Sequence, residues 1–283
     1  MSFVPTEPIE TVVLPIDGSR LSLRAIPAAL HLAGRLGAAV ELLSAVKAED
    51  EVPHRQAELD EIDLPGVRVD RAVVVDADAA AAIHRELRRL GRAVACMATH
   101  GRGRSAALIG SVATEVVARG HDPLVLVGSG YEADRRGRGV IAWVDDHPTS
   151  AALLPVALVW GSRLAEPALV GTVAEPVPEP VGGGPERRLF GPDGDVRAFL
   201  ERLVEPLRAE GHQIGTVPVF DPIRPAEGIR SYLREHPAEL SIVGTRARSG
   251  LSRIVFGSEA AHIVHGCPEP VLVVPKNAPG SVG

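Results

Sequence analysis

Short apolar runs alternate with longer amphipathic stretches along the whole chain. "TVVLPID", Thr11 to Asp17, is a strand-like run that ends on an acidic residue. The segment after it, "GSRLSLRAIPAALHLAGRLG", carries apolar residues at helical spacing, with Ser19 as a possible N-cap and Gly37 as a stop. The same reading predicts strands near 11–17, 38–46, 69–75, 93–98 and 124–128. A second series follows near 139–145, 167–173, 213–219, 239–243 and 270–274. Strands that alternate with helices imply parallel pairing through right-handed crossovers. "VLVG" and "VLVVP" are unbroken apolar runs, as expected of strands covered on both faces.

The two series are copies of one unit. "TVVLPID" matches "VIAWVDD", with Asp17 falling on Asp145 at an offset of 128. "LIGSVATEVVARGHDPLVLVG" matches "VFGSEAAHIVHGCPEPVLVVP" at an offset of 147, Gly110 on Gly257 and Pro123 on Pro270. This is a tandem duplication. The difference in offset places extra chain in the second copy, mostly in "AEPVPEPVGGGPERRLFGPDGD", Ala174 to Asp195. Its proline and glycine content predicts a long exposed loop, cleaved near Arg187 or Arg188 before the sheets are cut. In the first copy, Lys47 to Gly66 is acidic and predicts one or two helical turns, where the second has a fuller helix in "DVRAFLERLVEPLRAEG". The join falls in the polar "SGYEADRRGRG", Ser129 to Gly139. The expected architecture is α/β, two doubly wound five-stranded parallel sheets in domains 1–132 and 137–283. Their last strands, "PLVLV" and "PVLVV", are the edges expected to cover each other.

Composition narrows the function. The chain has 283 residues, 45% of them hydrophobic and only 3% aromatic. No Phe, Tyr or Trp lies between Val4 and Gly130. Stacking platforms for single-stranded nucleic acid are therefore scarce, and a net charge of −6 gives no basic footprint, so no nucleic-acid partner is expected. Cys96 and Cys267 read as two reduced thiols. No apolar run is long enough to span a membrane and the N-terminus is not a signal peptide, so a cytoplasmic protein without a membrane partner is expected.

The candidate chemistry lies in the loops after the fourth strands. "THGRGRSAALIGS", Thr99 to Ser111, sits between a strand and a helix. Gly110–Ser111 and Gly257–Ser258 each open a helix, whose free N–H groups and dipole favour phosphate. In an open parallel sheet a ligand sits beyond the strand C-termini where strand order reverses, which would set Asp17 and Asp145 across a cleft from these loops. His100 reads as an exposed loop residue. His262 and His265 share a helix face without a third ligand, so no metal site is expected. G-x-S-x-G, HExxH and the P-loop motif are missing, and no catalytic set can be placed.

These features together resemble the universal stress protein family in its tandem two-domain form. The first-strand motif, usually V-x-x-D-x-S, stands here as "LPIDGS", and the family's G-x2-G-x9-G-[S/T] follows the fourth strand. The second copy reads Gly244, Ala247, Gly257 and Ser258 with the nine-residue spacing. The first reads Ala98, Gly101, Gly110 and Ser111 with one residue fewer. The resemblance implies an adenine-nucleotide-binding sensor or scaffold with ATP as ligand, accompanied by Mg2+, and at most weak hydrolysis. It implies that Asp17 and Asp145 touch the ribose or adenine, that Val46 and Val173 line the adenine, and that the glycine loops take the phosphates. Arg102, Arg104, Arg246 and Arg248 would add charge. It also implies pairing of the two domains within the chain or in a homodimer. On loop spacing the second cleft is expected to hold ATP better. The alternatives are a degenerate member acting through protein contacts and an adenylating or flavoprotein-type enzyme on a related fold.

Overall fold

The computed structural model describes residues 7–99, 109–120, 123–174, 196–220, 224–245 and 257–275. The first half runs β1 (Thr11–Pro15), α1 (Ile26–Leu36), β2 (Ala39–Val46), α2 (Val52–Asp60), β3 (Val69–Val75), α3 (Ala79–Leu90), β4 (Ala93–Ala98), α4 (Ser111–Arg119) and β5 (Leu124–Val127). The second runs β6 (Val140–Trp143), α5 (Leu153–Leu164), β7 (Ala168–Ala174), α6 (Val196–Ala209), β8 (Ile214–Phe220), α7 (Pro225–Glu235), β9 (Leu240–Gly244), α8 (Ser258–Gly266) and β10 (Val271–Val274).

Each half is a five-stranded parallel sheet, in the orders β3-β2-β1-β4-β5 and β8-β7-β6-β9-β10. They are not separate sheets. β5 and β10 pair antiparallel, Leu126 against Val271 and Leu124 against Val273, and one ten-stranded sheet results. Both strands are buried apolar runs with unspent edges, so each satisfies the other's N–H and C=O groups. Helices α1, α2, α5 and α6 cover one face, where Leu14, Leu42, Trp160 and Leu200 pack. Helices α3, α4, α7 and α8 cover the other around Leu43, Met97, Leu126 and Val273.

Local signals hold with small shifts. Gly37 ends α1 at φ +65°, as a left-handed C-cap must. Ser19 does not cap α1; its Oγ accepts the Ser22 N–H at the entry to a 3-10 turn, Ser22–Ala25, that precedes the helix. The first half's connection is fuller than two turns, since a 3-10 turn at Glu49–Glu51 leads into the nine residues of α2. The insertion and its arginines, 175–195, lie outside the described residues.

The chain leaves β5 across the C-terminal end of α8. Gly130 N–H donates to His265 O at 2.9 Å. A methyl on Gly128 would be driven into Val264 O and would lie 2.7 Å from His265 O, both backbone atoms that cannot swing aside. Gly128→Ala is expected to cost about 2–4 kcal/mol, a fall in melting temperature on the order of 5–10 °C. Gly34→Ala, exposed within α1 and with nothing near its added methyl, is expected to be neutral or to raise it. Thermal melts of the two variants check the contrast.

Glu41 on β2 is buried beneath α3, beside Glu86 and within 3.1 Å of Arg89 Nη2. Burial pushes its carboxyl up to about 7, and the neighbouring Glu86 carboxylate adds to the rise while Arg89 opposes it. An acid whose folded pKa is raised holds its proton more tightly when folded. Its contribution is present at low pH and is lost as pH climbs from about 4.5 through 7. Glu41→Gln is therefore expected to melt with the parent near pH 5 and above it at pH 8, followed by circular dichroism.

Candidate functional site

In the first half the strand order reverses between β1 and β4, and a cavity of about 440 Å³ opens there beyond their C-terminal ends. Its floor is the strand tips Pro15, Leu43, Ala45 and Met97. One wall is Ala79, Ala82 and Ile83 of α3, and the opposite wall is Gly110, Ser111, Val112 and Ala113 at the start of α4. Ile16, Asp17, Ser22, Ala98 and Thr99 complete it. Asp17 is the one charged side chain among these residues. The volume suits a small organic ligand, and apolar walls with a few converging polar groups are the usual form of such sites.

Several bonds hold the site in shape. Ser44 Oγ donates to Ile16 O at 2.7 Å and Ile16 N–H donates to Leu43 O at 2.8 Å, which pins the chain just before Asp17. Asp17 Oδ1 accepts the Ser19 N–H at 2.9 Å and so turns the chain toward α1. Thr99 N–H donates to Val127 O at 3.0 Å, and Gly110 N–H donates to Thr99 O, tying the start of α4 to the end of β4.

The two helix N-termini facing the cavity differ. Asp78 caps α3, its Oδ1 accepting the Ala81 N–H at 3.0 Å while its other oxygen pairs with Arg119. Hydrogen bonds from Arg119 and the Ala81 N–H hold its carboxyl below the usual carboxylate range. At α4 the N-cap is Gly110, which has no side chain to cap with, and among the described residues no side chain takes the first-turn N–H groups that border the cavity.

The second half repeats the scaffold. Asp145 lies two residues beyond β6 as Asp17 lies two beyond β1, and its Oδ1 accepts the His147 N–H at 3.1 Å. Thr172 Oγ1 donates to Val144 O at 2.7 Å, matching Ser44 on Ile16. Thr245 N–H on Val274 O repeats Thr99 on Val127. The linings differ. Trp143 stands where the first half has Pro15, and its indole lies against Gly171, which replaces Leu43. Ser150 Oγ donates to Asp145, whereas its counterpart Ser22 donates to Ser19 O.

Of the residues expected in the first site, Asp17, Ala98, Gly110 and Ser111 come together, while Gly101 lies outside the described residues with Arg102, Arg104 and His100. The strand-two position needs correction. Ala45, not Val46, lines the cavity, because neighbouring strand residues face opposite sides of the sheet. Register agrees: Pro15 pairs with Leu43 and Trp143 with Gly171, so Val173 is the counterpart of Ala45 rather than of Val46. In the second half Arg246, Ala247 and Arg248 lie outside the described residues, and Gly257 directly precedes Ser258, the first residue of α8. Alanine in place of the loop's first glycine is sterically harmless, since a methyl on Gly244 would meet Leu153 only at 3.5 Å. Motif reading missed the α3 wall. Its signal was present as Ala79, Ala82 and Ile83 at spacings of three and four residues. Among the described residues no group of three or more His, Cys, Asp or Glu could hold a metal, and no helix is long and apolar enough to cross a membrane.

A sequence model described as the universal stress protein family matches residues 140–275. A universal stress protein of Thermus aquaticus is 33% identical over 135 residues, which span 46% of this chain and 90% of that protein. Among solved structures, a universal stress protein from Archaeoglobus fulgidus superposes with a TM-score of 0.61 at 17% identity, covering 93% of this chain and 95% of its own. A putative universal stress protein from Pseudomonas aeruginosa gives a TM-score of 0.61 at 18% identity, covering 95% and 94%. These two show a shared fold across nearly the whole chain, doubly wound and α/β. With a relative one-third identical over nine-tenths of its length, this chain belongs to the universal stress protein family.

Proposed function

We propose that this chain is a tandem universal stress protein, domains 1–132 and 137–283, that binds an adenine nucleotide and acts as a ligand-responsive sensor or scaffold. The observation that carries the reading is the cavity at the β1/β4 reversal, closed on one side by the N-terminus of α4, whose N-cap is a glycine. Apolar strand tips suit a planar base, Asp17 and Ser22 suit ribose hydroxyls, and the α4 N–H groups suit phosphate oxygens. Arg102 and Arg104, a few residues before α4 in the sequence, would add positive charge, with Mg2+ accompanying the triphosphate. Binding rather than turnover is proposed, because Asp17 is the only ionisable carboxyl, amine or imidazole group among the described lining residues, and it is already turned onto the Ser19 N–H.

The lining chemistry favours the first cleft over the second, against the ranking that loop spacing suggests. At the strand position that lines the first cleft as Ala45 the second half carries the larger Val173, and the Ser150 hydroxyl there is committed to Asp145. Gly110→Asp tests this without threatening the fold, since Asp is a favourable N-cap. Its carboxylate would take the α4 N–H groups and repel a phosphate. Calorimetric titration with ATP is expected to show binding by the parent and by Gly257→Asp, and at least about tenfold weaker binding by Gly110→Asp, as loss of one charge-assisted bond implies. Loss confined to Gly257→Asp would restore the second cleft. Absence of binding in the parent would favour a role through protein contacts.

A further inference from the structure

Behind the α3 wall of the first cleft lies a buried group of charges. Residues 41, 43 and 45 of β2 share one side of the sheet, and Leu43 and Ala45 line the cavity. Glu41, next along that side, lies against Glu86, one turn beyond Ala82 and Ile83 on α3. The two side chains are 5% and 9% exposed, and Arg89 of α3 pairs with both. Its Nη2 lies 3.1 Å from Glu41 Oε2, and its Nε donates to Glu86 Oε1 at 2.5 Å. The remaining oxygen, Glu41 Oε1, is buried without a hydrogen-bond partner among the described residues. A proton on Glu41 makes it a donor to Glu86. Without that proton, two carboxylates share one guanidinium in a water-poor site. From β3 comes Asp70, the register partner of Glu41, itself paired with Arg68 at 3.1 Å, and from β1 comes Val13. The Asp70 charge adds to the preference for the proton. By strand register and residue count the second half has Leu169 and Tyr232 at these two places, both packed on its apolar cluster. The scaffold is therefore served without acids here, and two buried carboxylates are costly to hold unless something uses their proton.

We propose that Glu41, Glu86 and Arg89 form a proton-operated latch on the α3 wall of the first cleft. With a proton shared between the acids, α3 seats on β2 and holds Ala79, Ala82 and Ile83 against the cavity. With both acids ionised, their repulsion draws water beneath α3 and loosens that wall. Ligand and proton both favour the seated wall, so each tightens the binding of the other. Burial and the Glu86 carboxylate raise Glu41 to about 7, so affinity is greatest below that pH and falls as pH climbs through it. The inference rests on the nucleotide reading of the cleft.

The test is calorimetric titration of the full chain with ATP at pH 6 and pH 8, the parent beside Glu41→Gln, whose amide donates to Glu86 at either pH. The ionisation of ATP itself is common to both proteins and cancels in their affinity ratio. The two are expected to bind alike at pH 6. At pH 8 the parent is expected to bind at least about fivefold more weakly than Glu41→Gln, the lower end of ordinary coupling between sites. Glu86→Gln, which gives Glu41 a donor instead of a second carboxylate, is expected to match Glu41→Gln and carries the criterion if that variant does not fold. An affinity ratio that stays the same from pH 6 to pH 8 overturns the proposal and leaves the nucleotide site in place. So does a parent that gains on the variant at pH 8. A parent that binds no ATP at pH 6 overturns the nucleotide reading and this one together.

Discussion

The antiparallel pairing of β5 with β10 is the contact on which the rest of the molecule depends. A parallel five-stranded sheet whose last strand is an exposed run of Leu and Val is an aggregation edge. Two such edges of near-identical sequence, brought together in one chain, satisfy each other's backbone groups and extend the core across the join. The pairing also sets polarity. Every strand in the first half is parallel to β5 and every strand in the second to β10, so the strand C-termini of the two halves point in opposite directions. The two clefts accordingly open at opposite ends of the sheet.

Other contacts lock that arrangement. Arg35 of α1 pairs with Glu166 at 2.7 Å, and His31 with Glu239 at 2.7 Å, both carboxylates nearly buried in the second half. The chain between the halves threads across α8 on glycines, and Arg135 donates to the carbonyl of Leu233 near the end of α7 at 2.8 Å. Buried polar groups of this kind contribute little net stability but disfavour other relative placements, because any slip leaves a charge unpaired.

The halves share a scaffold and have diverged in their linings. Backbone-directed bonds repeat from one to the other: the hydroxyl at the end of the second strand, the Asp turn, the threonine after the fourth strand. Side chains that face the clefts do not. Pro15 and Leu43 become Trp143 and Gly171, a swap that keeps the layer filled while changing its chemistry, and the indole N–H is committed to Ser241, which donates in turn to the buried Glu269. Burial pushes the Glu269 carboxyl up to about 7. Ser241, the middle of this polar chain, stands where the first half has the buried Ala95.

The order of elements was legible in the sequence, with strand ends placed within about two residues, because strand and helix periodicity and glycine stops are local properties. The cleft beyond the ends of β1 and β4 was recognisable too, since topology dictates where a parallel sheet leaves space. The facing residue of β2 was not. Choosing Ala45 over Val46 requires the register of β2 on β1, and both residues are small and apolar. Nor could the sequence by itself say that Ala79, Ala82 and Ile83 form a wall or that Arg55 meets Gly18, since these pairs are distant in the chain and meet only when helices pack on the sheet. What the chain carries locally determined the fold and the family. Which side chains converge was decided by packing between elements, which depends on contacts that no local stretch of sequence contains.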